Sequence, residues 1–345
     1  MPEESGNGND VASESGTSRR SFLAGAAGLT GVALAVGHWT PALAANVRVV
    51  NTGAIGIELD KQSAGFVSFA AGGNATSDVV TEKIGSDHIA RKHLAGLKYE
   101  DITINAGTGM SKAFYSWVAA TPAVKFVRHS GAIVAADNNF KIRTRVEFTN
   151  ALITEIGMPA LDAASKDAAK MTIKFAPEFT RRVTKVGGTL KGSFSSVQQK
   201  WNVSNFKLHI DGVNTTYVSK IDALVIKANL VEHAVGDSRD FETDIASIDV
   251  PNIKLTLAES HADDFFKWHD DFVIKGNNGS EDEKTGSLSY LAQDLKTELF
   301  RLDFHGLGIF ALDPDPYTTH ADNLRHVTAQ LYCESITFSA PSAKV

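Results

Sequence analysis

The segment from His261 to Asp271 has the highest density of side chains that could bind a divalent metal. It contains two histidines and four aspartates within eleven residues, and imidazole and carboxylate groups are common metal ligands. On a helix, however, His261 and His269 would be separated by about 12 Å of rise, which is too far for both to reach one ion unaided. The pattern therefore favours a solvated acidic helix face over a metal site.

The other residues that could do chemistry are isolated. Asp313 and Asp315 alternate with prolines, which indicates a stiff turn, and their spacing does not fit a calcium-binding loop. His88 and His93 lie among basic neighbours, which disfavours metal binding. The chain contains no Gly-x-Ser-x-Gly elbow, no phosphate-binding Gly-Lys-Ser/Thr and no His-Glu-x-x-His. We therefore expect neither enzyme activity nor a cofactor.

The bulk composition is that of an ordinary globular protein. The chain has 345 residues, a net charge of −6 and 43% hydrophobic residues. A mildly acidic chain is not expected to bind nucleic acid, because such binding normally requires a basic surface. The single cysteine, Cys333, excludes an internal disulfide, and the apolar alternation around it predicts a buried side chain.

The first 45 residues resemble a twin-arginine export signal. A pair of arginines precedes Phe-Leu, a small-residue apolar run follows, and an Ala-x-Ala sequence ends the segment. The run is about 15 residues long, whereas a helix needs roughly 20 to cross a bilayer, so we expect no stable membrane insertion. An uncleaved N-terminal anchor is the alternative. The residues that carry the motif are Arg19, Arg20, Phe22, Leu23, Ala42 and Ala44.

This signal predicts a protein that folds in the cytoplasm and is exported by the twin-arginine translocation machinery. Its final location would be periplasmic or extracellular.

The remainder of the chain has β-type alternation and a long internal repeat. In residues 140–148 the even positions are apolar or threonine and the odd positions are charged, as in a strand with one buried face. Residues 147–178 align without a gap on residues 303–334, with matching apolar positions. A second opening strand at residues 206–212 aligns on residues 65–71. We predict two tandem domains at 46–190 and 191–345, joined by a glycine-rich linker.

Each predicted domain also contains one short helix with an aromatic face. Phe114 and Trp117 in the first helix, and Phe265 and Trp268 in the second, have the i, i+3 spacing that places side chains on one helical face. An aromatic pair of this kind predicts a helix that packs as a lid over a sheet.

The stretch Arg91–Ile104, with the aromatic residues that follow it, resembles the tail tube proteins of contractile-tailed phages. That family is related to the tube proteins of type VI secretion. The stretch reads Arg-Lys-His-Leu-Ala-Gly-Leu-Lys-Tyr-Glu-Asp-Ile-Thr-Ile and leads to Phe-Tyr-Ser-Trp at residues 114–117. The second copy is weaker and retains Asn252–Leu255 and Trp268.

The resemblance implies a mainly β fold: a β-sandwich or half-barrel with one flanking helix, present in two tandem copies. It also implies a homo-oligomeric ring, and a duplicated chain would form a trimer with pseudo-sixfold symmetry. The charged segment at residues 91–99 is expected to be an assembly loop, and its residues are Arg91, Lys92, Gly96, Leu97, Lys98 and Tyr99.

We therefore expect an exported structural protein that assembles into rings or tubes. A soluble extracytoplasmic binding module and an exported enzyme of unknown chemistry are the alternatives.

Overall fold

The structure of the protein is a computed structural model that describes residues 52–86, 88–184, 186–192, 199–234, 241–317 and 324–340. Strands make up 60% of the described residues and helices 9%. An average soluble protein has roughly 20–25% strand and 30–35% helix, so the fold class is mainly β, as predicted. The described residues belong to one compact unit.

The described strands and helices follow one another in a simple order. They are β1 (Ala54–Leu59), β2 (Gln62–Ala71), β3 (Ala75–Glu82), β4 (Arg91–Tyr99), β5 (Ile102–Ala106), α1 (Lys112–Ala120), β6 (His129–Ala136), β7 (Ile142–Met158), β8 (Leu161–Asp162), β9 (Met171–Ala176), β10 (Phe179–Thr184), β11 (Trp201–Ile210), β12 (Val218–Ile221), β13 (Leu224–Ala234), β14 (Phe241–Asp249), β15 (Ile253–Ala258), α2 (Asp263–His269), β16 (Lys284–Ala292), β17 (Glu298–Pro314) and β18 (His326–Ser339).

The first sheet closes on itself through β7. This strand has 17 residues, or about 55 Å of extended chain, so it can pair with several neighbours. It pairs with β6 on one side and with β9 and β10 on the other. From β6 the pairings continue through β1, β2 and β5 and return to β9. All of these pairings are antiparallel.

The second sheet is built around β17 in the order β11, β16, β17, β18, β15, β12, β8. The pairing around β17 repeats the pairing around β7, and a register shift follows Ile153 in β7 and Ile309 in β17. The corresponding pairs are Ile153 with Phe175 and Ile156 with Ile173 in the first sheet, and Ile309 with Leu331 and Leu312 with Ala329 in the second. The gap-free correspondence predicted from sequence therefore has the same register in the structure.

The alignment of residues 206–212 on residues 65–71 is wrong. Leu208 pairs with Leu288 of β16 in the way that Ile57 of β1 pairs with Ile133 of β6, so β11 takes the place of β1 and not of β2. Short alternating apolar runs match one another in several registers, and only the pairing partner distinguishes them.

Two strands cross the predicted domain boundary near residue 190. β13, from the second half, pairs with the end of β7, and β8, from the first half, pairs with β12. The boundary itself remains a prediction.

The two helices cover the sheets with their aromatic faces, as predicted. Ser111 caps α1 by accepting a hydrogen bond from the Phe114 amide at 3.3 Å. Trp117 is buried with its ring centroid 5.4 Å from that of Phe175, and Trp268 of α2 is also buried. One continuous apolar cluster includes residues of both halves. None of the helices among the described residues has the length and apolarity of a membrane span.

Cys333 gives a test of the core around β18. Its side chain is buried, as predicted, and burial raises the pKa of its thiol to about 11. Because only the thiolate is a good nucleophile, we expect a disulfide reagent at pH 8 to modify the folded protein at least 100-fold more slowly than the protein in guanidinium, where the thiol pKa is about 8.5. The stabilisation from the neutral buried thiol is present below about pH 8.5 and is lost as pH rises through 11. Equal modification rates in the folded and denatured protein would contradict the burial of Cys333.

Candidate functional site

The residues predicted to act in export lie outside the described part of the chain. Arg19, Arg20, Phe22, Leu23, Ala42 and Ala44 all precede residue 52. Their role remains a prediction from the sequence.

The predicted assembly loop is a strand, and this expectation is corrected. Arg91, Lys92, Gly96, Leu97, Lys98 and Tyr99 all belong to β4. β4 pairs with β3 in an antiparallel hairpin that forms a two-stranded sheet of its own. The charges and Gly96 suggested a loop because charged residues are uncommon in buried strands, but this hairpin is exposed on both faces for most of its length.

The six residues do not converge on one point. They extend along about 27 Å of strand. At the base of the hairpin, Lys98 Nζ lies 2.7 Å from Asp78 Oδ2, and this contact raises the pKa of the Lys98 ammonium. The Tyr99 ring lies with its centroid 5.4 Å from that of Phe179. The segment thus forms an extended surface and not a catalytic pocket.

The hairpin exposes apolar side chains that a sheet would normally cover. Val79 is 58% exposed and Leu94 is 67% exposed, and these two residues pair across the hairpin. An exposed pair of strands with apolar residues and open edges is a site at which another strand can add.

Side chains of the His261–Asp271 segment, which the sequence favours as a solvated acidic face, are engaged in protein contacts. The His261 ring stacks on Tyr217 with a centroid distance of 3.6 Å, and Asp264 accepts a hydrogen bond from the Asn214 amide at 3.2 Å. Within the described residues, no three His, Cys, Asp or Glu side chains form a group that could hold a metal ion.

A second hairpin, β13–β14, is attached to the first sheet, and sequence reasoning missed this junction. Residues 224–227 of β13 pair with residues 158–155 of β7. Leu224, Ile226, Ile156 and Met158 are each about 1% exposed. Complete burial of such side chains contributes about 1.5–3 kcal/mol each. The junction between the two halves is therefore a continuation of the core.

A charged contact holds the far part of this hairpin. The Arg128 guanidinium donates to Asp244 Oδ1 and to the Thr243 carbonyl oxygen, both at 2.5 Å. Glu178 accepts a hydrogen bond from the Thr243 amide at 3.3 Å. We call these four residues the internal latch. Arg128 and Asp244 are 116 positions apart in sequence, so no local pattern could have identified the pair.

A third connection runs in the other direction. β8, from the first half, pairs with β12, and the Lys220 Nζ lies 3.0 Å from Asp162 Oδ2. Leu161 and Ile221 pair there and are both buried. Each half therefore adds a strand to the sheet of the other half, while the two sheets remain separate. A hairpin that pairs in this way extends the sheet that receives it.

Comparison with known proteins gives only distant structural similarity. No family model matches the chain, and no curated protein is similar to it in sequence. One solved structure with a similar chain is the anti-feeding prophage baseplate, with 10% identity, coverage of 46% of this chain and 99% of the other, and a TM-score of 0.33.

Two further similarities are of the same kind. The sheath–tube complex of an extracellular contractile injection system has a chain with 13% identity, coverage of 44% and 99%, and a TM-score of 0.33. Hcp1 from Flavobacterium johnsoniae has 14% identity, coverage of 39% and 94%, and a TM-score of 0.24. Because these TM-scores are below 0.5, the assignment of a function depends on the strand junctions.

The internal latch can be tested by removal of its cation. We expect Arg128→Met to leave the fold intact but to increase amide hydrogen exchange in β14, because Glu178 and Asp244 then repel each other without a shared partner. Exchange measured by mass spectrometry should rise several-fold for peptides from 241–249 and remain unchanged in β15. Arg181→Met, at an exposed arginine of β10, is the control. Unchanged exchange in β14 would show that the latch does not hold the hairpin.

Proposed function

We propose that this protein is an exported, non-catalytic structural protein that assembles into rings or tubes from two tandem tail-tube-like domains, residues 46–190 and 191–345. The observation that supports it most directly is the internal junction. Two similarly paired halves of one chain already exchange strands, because β13 of the second half pairs with β7 and β8 of the first half pairs with β12.

The order of elements supports the tandem copies. Each half has a long central strand, one helix with a buried tryptophan, and a long hairpin between two strands of its main sheet. The hairpins β3–β4 and β13–β14 share a register, including one shift at the same relative position. Ser77 and Val79 flank this shift in the first hairpin, and Asn229 and Leu230 flank it in the second.

The direction of the junction favours a closed ring. One half contributes a hairpin and the other an open strand edge, so the contact is head-to-tail and can be repeated. A repeated head-to-tail contact forms a closed ring when a whole number of units completes a rotation of 360°. Three chains of two units each would give pseudo-sixfold symmetry.

The location of the assembly follows from the N-terminal sequence. The twin-arginine signal at residues 1–45 would send the folded chain across the membrane, and the partners would then be the translocation machinery during export and further copies of the same chain afterwards.

Assembly is tested directly by particle size. We expect the purified protein to elute in size exclusion as a species of at least three chains, with ring-shaped particles in negative-stain micrographs. Mass photometry between about 10 nM and 10 µM should show the ring growing at the expense of the 36.9 kDa chain. A single-chain species at the highest concentration would refute the proposal.

Export is tested at the arginine pair. Replacement of Arg19 and Arg20 by lysine should retain the folded protein in the cytoplasm. The translocation machinery recognises the arginine pair specifically, so lysines of the same charge should not replace it. Cell fractionation and immunoblotting measure the distribution. Lysine replacement at Arg181 and Arg182, in β10, serves as the matched control. Normal export of the signal variant would contradict the twin-arginine assignment.

A further inference from the structure

The two hairpins occupy different environments although their registers correspond. Residues 151 positions apart are equivalent: Thr76 with Lys227, Val79 with Leu230, and Lys92 with Thr243. The second hairpin pairs with β7 of the same chain. Among the described residues, the first hairpin pairs with no strand outside itself.

Equivalent residues of the two hairpins differ in exposure because, in the described part of the chain, the second hairpin is paired with β7 and the first hairpin is not. Ile226 is buried in the junction, whereas its equivalent Ala75 is exposed. Thr243 is 8% exposed because it lies in the internal latch, whereas its equivalent Lys92 is exposed. At Ala75 and Lys92 the first hairpin therefore presents to solvent positions that the second hairpin buries, whereas Gly73, the equivalent of Leu224, is buried within its own chain.

A matching open edge is present at the other end of the chain. The end of β7 that receives β13 is residues 155–158, and the gap-free correspondence places residues 311–314 of β17 at the same position. On the side where β16 runs, pairing of β17 stops at Leu307. In the described part of the chain, no strand continues that side to Pro314.

We propose that the β3–β4 hairpin of one chain adds to the edge of β17 at Ala311–Pro314 in a second copy of the chain, in the register that β13 adopts on β7. The proposal rests on the assembly function proposed above and specifies its interface. Thr76 would face Ala311, and Ala75 would face Leu312.

The charges at the two junctions are complementary in opposite senses. In the internal latch the hairpin supplies the anion Asp244 and the sheet supplies the cation Arg128. At the open junction the equivalents are His93 on the hairpin and Glu283 on the sheet, since Glu283 precedes β16 as Arg128 precedes β6. Lys92 replaces Thr243, opposite Glu334, the equivalent of Glu178. The cation Lys92 of the hairpin would thus meet the anion Glu334 of the sheet.

Groups next to Glu283 and Glu334 respond to the negative charge of this sheet surface. The Tyr332 hydroxyl donates to Glu283 Oε1 at 2.6 Å, and burial together with Glu283 and Glu334 raises the pKa of Tyr332 to about 12. Among the described residues, Glu334 is exposed and has no ion pair. A lysine placed beside it would gain a partner and lose little hydration.

The receiving edge of β17 also has an apolar cleft beside it and a proline that limits pairing with other strands. A cleft of about 280 Å³ lies beside the edge and is lined by Phe310, Tyr332 and Phe272 among others, and Phe310 is 41% exposed. Pro314 lacks an amide hydrogen, so the ladder at this junction has one donor fewer than the ladder on β7. Proline at an edge also limits pairing with unrelated strands.

The register is tested by cross-strand disulfides in the full chain with Cys333 replaced by alanine. We expect Thr76→Cys with Ala311→Cys to give, under mild oxidation, covalent dimers and larger species that end at the number of chains in the ring. The control combines Thr76→Cys with Thr337→Cys, which lies more than 20 Å along β18 from the strand position that pairs with Ala311, and should give no ladder. Absence of the ladder in a protein that still forms rings would overturn this interface but not the assembly function.

The charge complementarity is tested in the same ring assay. Lys92→Glu should raise the concentration for half-maximal assembly by about tenfold, because it places like charges together. Addition of Glu334→Lys should restore assembly to within about threefold of wild type. Lys296→Glu, in the turn between β16 and β17, should have no effect. If Lys92→Glu assembles normally, or if the double variant is no better than the single one, the charge pairing is refuted. Failure of the wild type to assemble would instead refute the proposed function.

Discussion

The structure depends on the need of every strand edge to be paired, covered or blunted. The two central strands, β7 and β17, are each longer than the neighbours on one side can cover, so each has an edge left over at its C-terminal end. In β7, a hairpin from the other half of the chain pairs with that edge and buries Ile226 and Leu224. Because unpaired backbone groups and exposed apolar residues are costly together, this pairing helps to join the two halves into a single core. The same requirement at β17 is met by no strand among the described residues.

Aromatic side chains also pack across the contact between the two halves. The ring centroids of Tyr115 from α1 and Phe300 from β17 are 5.5 Å apart, and Trp201 contacts both Tyr290 and Phe300. Aromatic contacts of this kind add to the burial of area and resist sliding of one sheet past the other. A rigid link between the halves would keep the angle between the hairpin and the open edge constant, which a repeating head-to-tail assembly requires.

The side chains whose types could do chemistry have structural environments, as the sequence favoured. The His261 ring stacks on Tyr217, and Cys333 is buried in the central strand pair. A charged contact between distant parts of the chain lies elsewhere, in the internal latch, where Arg128 donates to Asp244.

Alternation and helical spacing are local properties of the chain, so they were enough to predict the mainly β class, the aromatic lid helices and the register between residues 147–178 and 303–334. They could not predict that Arg91–Tyr99 is a strand, nor that residues 206–212 take the place of β1, because short alternating or charged segments fit several partners equally well. The edge that each hairpin occupies is a property of the folded chain. That choice depends on contacts such as Arg128 with Asp244, whose partners are 116 residues apart and are brought together only when the sheets have formed.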